Sequence, residues 1–175
     1  MGSASTKPAT TTVLCRSPEA DDAPAVHSLV EECKPLDLNS TYACLLLCSH
    51  FASTCVVAER ESRVVGFVSS YKKPAESAVL FVWQVAVSPT TRGEGLASRM
   101  LDELMQREDC RAVRWIETTI APTNAASWAL FESFAKRRGA LCAQETLFRP
   151  EDFGAEGHEE ERLLRIGPLR PAAED

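Results

Sequence analysis

Leu80-Phe81-Val82-Trp83-Gln84-Val85-Ala86-Val87-Ser88-Pro89-Thr90-Thr91-Arg92-Gly93-Glu94-Gly95-Leu96-Ala97 joins a run of strand character to a glycine turn and the start of a helix. Positions 80–87 are apolar except at Gln84, which predicts a central strand covered on both faces and stopped by Ser88-Pro89. From Arg92 to Arg107, Leu96, Met100, Leu101, Leu104 and Met105 recur at helical spacing, so an amphipathic helix is expected there. Between the two, Gly93 and Gly95 allow main-chain N–H groups to approach an anion closely. The helix N-terminus adds partial positive charge, and a pyrophosphate fits such a turn. The same glycines also suit a chain that merely bends sharply. The turn lacks the Gly-Lys-Ser/Thr of a nucleoside triphosphate loop, and it follows the fourth expected strand rather than the first, where a dinucleotide fold places its glycines.

Upstream, Val13–Arg16 reads as a first strand, and Ser17-Pro18-Glu19-Ala20 as the start of a helix ending near Cys33. Asn39 is expected to cap a second helix carrying Tyr42, Leu45 and Leu46, with Asp37 in the turn before it. Runs at 54–59, 64–71 and 79–87 form an antiparallel meander. Downstream come a strand at 113–119 and a helix at 122–138 closed by Gly139. A strand at 141–148, an irregular acidic loop at 151–161 and a last strand at 162–166 complete the order.

The 175 residues carry 19 Lys plus Arg against 25 Asp plus Glu, a net charge of −6, with 45% hydrophobic and 25% charged residues. At roughly 150 residues per domain this is one domain, expected over 13–168 between a disordered tail at 1–12 and a C-terminal tail at 169–175. The acidic balance supplies no footprint for nucleic acid. The apolar run Ala43–Cys48 is far short of the ~20 residues that cross a bilayer, so neither nucleic acid nor membrane is expected as a partner. Seven cysteines, an odd number without an export signal, point to free thiols in the cytoplasm and to no metal site.

Arg92, Gly95 and Ala97 resemble the Arg-x-x-Gly-x-Gly/Ala acyl-coenzyme A loop of the Gcn5-related N-acetyltransferase superfamily. Val85-Ala86-Val87 before it and Asn124-Ala125-Ala126 after the next strand agree in order. The resemblance implies an α/β (α+β) fold: a mixed, mostly antiparallel central sheet flanked by helices. It implies acetyl-CoA as co-substrate, met by Val85, Ala86, Val87, Arg92, Gly93, Glu94, Gly95, Leu96, Ala97, Asn124 and Phe131. Pro35–Tyr42, Leu80–Pro89, Glu117–Ser127 and Leu163–Pro168 further resemble the L-2,4-diaminobutyrate acetyltransferase family. That implies acetylation of the 4-amino group of L-2,4-diaminobutyrate, on the way to the osmolyte ectoine, by a homodimer. The alternatives are an N-acetyltransferase for another small amine and a non-catalytic acyl-CoA sensor.

The chemistry assigns work to particular residues. A primary amine titrates at about pH 10 and arrives protonated, so a base is needed; by the resemblance Glu117, in the strand after the coenzyme turn, is the candidate, as base or as amine-positioning group. The developing oxyanion needs a donor, implied to be main-chain N–H of Val85 or Val87. Where many members carry a thiolate-protonating tyrosine, this chain has Phe131, which cannot donate. Tyr42 is the replacement candidate, either as acid or as a substrate-binding group, and solvent is the other. Asp37 suits a substrate ammonium, Trp83 the methylene chain, and His158 from the acidic loop the closing of the pocket.

Overall fold

The computed structural model describes residues 12–170, so the tail expected over 1–12 lies almost wholly outside the described residues. In chain order the elements are β1 (Leu14–Arg16), α1 (Ala23–Glu32), α2 (Thr41–Ser49), β2 (Val56–Arg60), β3 (Arg63–Lys73), β4 (Glu76–Val87), α3 (Leu96–Gln106), β5 (Trp115–Ile120), α4 (Ala125–Arg138), β6 (Leu141–Phe148) and β7 (Glu161–Gly167). One seven-stranded sheet runs β1-β2-β3-β4-β5-β7-β6, and β4–β5 is its parallel pair among antiparallel ones. The mixed, mostly antiparallel sheet flanked by helices is the expected architecture.

Strand alternation feeds two cores. Val56 and Ala58 pack with Leu96, Met100, Leu101, Leu104, Phe131 and Phe134 beneath α3 and α4. Val57, Phe67 and Ala86 face Val26, Leu29, Val30, Leu47 and Cys48 of α1 and α2. Fully burying side chains such as Leu101 and Leu104 contributes about 1.5–3 kcal/mol each. Leu169 is also buried, and its N–H donates to the Arg114 carbonyl (2.7 Å), so the fold runs past the boundary expected at 168.

Four helix starts differ from expectation, each for a local reason. Arg16 holds Asp22 through two hydrogen bonds (2.7 and 2.8 Å) while Asp22 Oδ2 accepts from the Glu19 N–H. Residues 20–22 are thereby spent in a 3-10 turn, and α1 begins at Ala23. Ser40, not Asn39, caps α2, its hydroxyl accepting from the Ala43 N–H (3.2 Å). Gly93 (φ 80°) and Gly95 (φ 74°) are left-handed, which a right-handed helix excludes, so α3 begins at Leu96 rather than Arg92. Asn124 caps α4, which starts at Ala125 rather than Pro122. The loop expected to be irregular holds 3-10 turns over Pro150–Glu156.

The β4–β5 ladder joins only Val79, Leu80 and Phe81 to Trp115, Ile116 and Glu117. Beyond Phe81 the ladder ends, whereas β5 stays paired with β7 as far as Ile120 and Arg162. The sheet therefore opens into a notch halfway along its central strand. Trp83 is 45% exposed because it faces this opening, so β4 is not covered on both sides as expected.

Candidate active site

A cavity of about 680 Å³ occupies the notch. Its walls are β4 (Val82–Val85), β5 (Thr118–Ile120), the first turn of α4, the turn before α2 (Pro35–Asp37) and the loop into β7 (Gly157–Glu159, with Glu161). Its charged residues are Asp37, Glu159 and Glu161 against His158, with no Lys or Arg among the lining residues.

One side of the notch presents unsatisfied backbone. The Gln84 N–H donates across β4 to Ser69 Oγ (3.1 Å) and the Ser88 N–H to the Val65 carbonyl (2.9 Å). Since successive amides of a strand point to opposite edges, those of Val85 and Val87 point toward the notch, where β5 no longer pairs with them. The chain then turns through Arg92–Gly95 into α3, whose first N–H groups have no intrahelical acceptor. A Cβ built on Gly93 or Gly95 would meet nothing within 4 Å, so the turn presents bare main chain at an open face. Asn124 accepts from the Ser127 N–H (3.1 Å), leaving its Nδ2 for the cavity it lines.

The other side is tied together by polar groups. Gln84, 8% exposed, donates through Nε2 to the Asp37 carbonyl (2.7 Å) and accepts from Asn39 Nδ2 (3.3 Å), which fastens the Asp37 turn to the central strand. From across the cavity, His158 Nε2 reaches Asp37 Oδ2 at 3.5 Å and Glu161 Oε1 at 3.9 Å. The His158 ring stacks on Phe153 (4.1 Å between centroids), and Nδ1 donates to the Glu159 carbonyl (2.8 Å). That carbonyl first, then Asp37 and Glu161, raises the His158 pKa by favouring the imidazolium. Burial raises the Glu161 pKa, opposed by hydrogen bonding to Thr119 and by His158. Glu159 is held by the Thr123 hydroxyl (2.9 Å).

Asp37, Trp83, Val85, Asn124, Phe131 and His158 all line the cavity. Ala86 is buried under α1, and Val87 leads to the Arg92–Ala97 turn beyond the cavity. The two residues expected to act as base and acid are not brought there either. Glu117 is 1% exposed and lies one β5 side-chain repeat below Thr119, gripped by Lys73 Nζ (2.9 Å) and Arg165 Nη1 (2.5 Å). Both of its oxygens are engaged and it has no place in the lining, so in this structure it clamps β5 to β3 through Lys73 and to β7 through Arg165. Tyr42 sits on the first turn of α2 with 69% of its surface exposed, outside the lining. Three contributors had gone unremarked or unassigned: Glu161, Thr119 and the tether Gln84. Gln84 was visible as the one polar residue of an apolar strand, whereas Glu161 was one of a run of like charges of which only the fold turns Glu159 and Glu161 inward.

Among the described residues no group of three or more His, Cys, Asp or Glu side chains is placed to hold a metal ion, and no helix is long and apolar enough to cross a membrane. Residues 23–135 match the Acetyltransferase (GNAT) family. The chain is 51% identical over 155 residues to the L-2,4-diaminobutyric acid acetyltransferase of Bordetella parapertussis, covering 88% of this chain and 83% of that one. It is 45% identical over 156 residues to the same-named protein of Vibrio cholerae, covering 89% of each. Among solved structures, diaminobutyrate acetyltransferase EctA from Paenibacillus lautus, in complex with L-2,4-diaminobutyric acid and coenzyme A, superposes with a TM-score of 0.89 at 40% identity, over 94% of this chain and 99% of that one. The ribosomal-protein-S18-alanine N-acetyltransferase of Escherichia coli shares the fold (TM-score 0.67, 18% identity, 94% and 98% covered).

Proposed function

The chain belongs to the GNAT acetyltransferase family and, within it, to the diaminobutyrate acetyltransferases, and from that premise we propose that it acetylates the 4-amino group of L-2,4-diaminobutyrate with acetyl-CoA. The product, N4-acetyl-L-2,4-diaminobutyrate, is the precursor cyclised to ectoine. The observation that carries the reading is the charge of the cavity: three carboxylates, one histidine and no Lys or Arg, beside a strand edge and helix start that offer free N–H groups. A diamine with one carboxylate is a net cation and complements that balance.

In this reading the coenzyme pyrophosphate lies on the Arg92–Ala97 turn and its pantetheine arm runs along Val87 and Val85, aiming the thioester carbon into the notch. Trp83 walls the methylene chain, Asp37 holds the 2-ammonium group, and His158, whose imidazolium form its neighbours favour, faces the substrate carboxylate. Clamping that end leaves the 4-amine toward the thioester. Glu161, whose buried carboxyl has a raised pKa and so binds a proton more readily, takes the proton from the 4-ammonium. The neutral amine attacks the carbonyl carbon and the oxyanion is met by the Val85 N–H. The attacking nitrogen gives up its remaining extra proton to solvent as the adduct collapses, and the expelled coenzyme thiolate takes a proton from solvent, since Phe131 has none to give.

The test is release of coenzyme A with L-2,4-diaminobutyrate and with other small amines. Rapid turnover with diaminobutyrate supports the reading. Turnover only with other amines, or acetyl-CoA binding without turnover, overturns it. The chain is further read as cytoplasmic, from its seven cysteines, and as a homodimer. Supporting the dimer, β6 forms a sheet edge exposed along its whole length, with Leu141 (75%), Leu147 and Phe148 uncovered. Light scattering at twice the monomer mass is expected, and a monomer at micromolar concentration refutes it.

A further inference from the structure

We infer that Arg60 is a positioning residue for the coenzyme: it neutralises and holds aside Glu94, a carboxylate that stands within the anion-binding turn itself. The inference rests on acetyl-CoA occupying the Arg92–Ala97 turn. Glu94 lies between the two left-handed glycines, Gly93 and Gly95, in the segment whose main chain is to meet a pyrophosphate. Left alone, its charge would oppose that of the ligand, and the flanking glycines would leave its position loose.

Arg60, the last residue of β2, answers both problems. Its guanidinium grips the Glu94 carboxylate as a fork, Nη1 donating to Oε1 (3.3 Å) and Nη2 to Oε2. The clasp draws Glu94 to the end of β2 and cancels its charge. Arg99 also acts on Glu94 through its charge, but the side-chain hydrogen bonds to that carboxylate come from Arg60. Arg92 Nε donates to the Val87 carbonyl (3.4 Å) and Arg99 Nη2 to the Val13 carbonyl (3.0 Å). Arg60 Nε is buried without a hydrogen-bond partner, so the orientation of this guanidinium rests on the Glu94 fork. Fold stability does not account for the pair, because both side chains are partly exposed and such ion pairs contribute little to it. What the pair governs is the charge and order of the turn before the coenzyme arrives.

The experiment is a double-substitution cycle read in steady-state kinetics, with calorimetric coenzyme A binding on the same folded proteins. Arg60→Ala is expected to raise KM for acetyl-CoA about three- to tenfold, leaving kcat and KM for diaminobutyrate unchanged. The rise should fade as salt approaches ~1 M, where screening acts within about 3 Å. Glu94→Gln alone should lower KM for acetyl-CoA, and Arg60→Ala combined with Glu94→Gln should return it to the wild-type value. A KM that stays high in the double variant, or an Arg60→Ala enzyme with unaltered KM at low salt, overturns the inference. If Gly95→Val abolishes coenzyme binding while the Arg60 variants are silent, the turn still holds the coenzyme and only the role of Arg60 fails. If Gly95→Val also binds normally, the site reading itself falls.

Discussion

Replacing Gln84 with leucine should loosen the substrate side of the cavity while sparing the coenzyme side. Leucine fits the same buried volume on β4, but it deletes the bond to the Asp37 carbonyl (2.7 Å) and the bond from Asn39 Nδ2 (3.3 Å). At a net ~0.5–1.5 kcal/mol per hydrogen bond, the pair holds the Asp37 turn by about 1–3 kcal/mol. The stronger, shorter bond carries more of this, and the freed carbonyl and amide reach water, which favours the middle of the range. A loss of about 1.4 kcal/mol is tenfold in an equilibrium. The expected result of Gln84→Leu is therefore a roughly tenfold higher KM for diaminobutyrate, with KM for acetyl-CoA within about twofold of wild type. Release of free coenzyme thiol, with each substrate varied in turn, measures both constants. A thermal melt accompanies it, since about 2–4 °C is lost per kcal/mol in a domain of this size. Equal rises in both constants would mean that Gln84 supports the whole strand, and no rise would mean that the tether does not position Asp37; either refutes the reasoning.

Gly95→Val should abolish measurable acetyl-CoA binding in calorimetry, because a β-branched residue is strained at φ 74° and its side chain covers the main chain offered to the pyrophosphate. Glu117→Gln should lower stability rather than turnover: it leaves Lys73 and Arg165 facing a neutral amide, a cost of about 3 kcal/mol with these half-exposed partners. The Tm should then fall by about 6–12 °C with kcat kept within severalfold, and a thousandfold loss of kcat with an unchanged Tm would return Glu117 to the role of base. Because burial raises the Glu161 pKa, kcat should fall on acidification at a pH above the ordinary carboxylate range, and Glu161→Gln should remove that limb together with about 10²–10⁴ in rate. His158 also has a raised pKa, so its attraction to Asp37 is complete below the ordinary histidine value of about 6.5 and disappears as pH climbs through the raised one. KM for diaminobutyrate should accordingly rise at alkaline pH, and a flat profile, or one unaltered in His158→Asn, counts against its place beside the substrate.

The proposed coenzyme side was legible in sequence because the work proposed for it is done by main chain. A strand, a pair of glycines and an amphipathic helix are local patterns, and the proposed anion cradle needs nothing else. The substrate side was legible only in part. Asp37, Trp83 and His158 were singled out and do meet, but they come from a turn, a strand and a late loop far apart in the chain. For the carboxylates, residue type alone decides nothing. Glu117 and Glu161 both lie in strands, yet one is closed off by two cations and the other faces the cavity. Two of the helix starts were misplaced for a related reason: Asp22 is taken by Arg16, six residues back, and Asn39 by Gln84 of the central strand, partners that override the local capping preference.

The amino-acid sequence by itself determined which faces must leave water and where the backbone must bend, because periodicity and glycine act within a few residues of themselves. It also carried the family likeness and, through that, the two substrates. The tertiary structure alone decided that β4 and β5 part after Phe81. Past that point β5 stays paired with β7 on its other edge, a register between segments more than forty residues apart. From it follow the free amides of Val85 and Val87, the inward turn of Glu161 and the closing-off of Glu117. These are properties of a gap between strands, and a gap is defined only once both of its sides are in place.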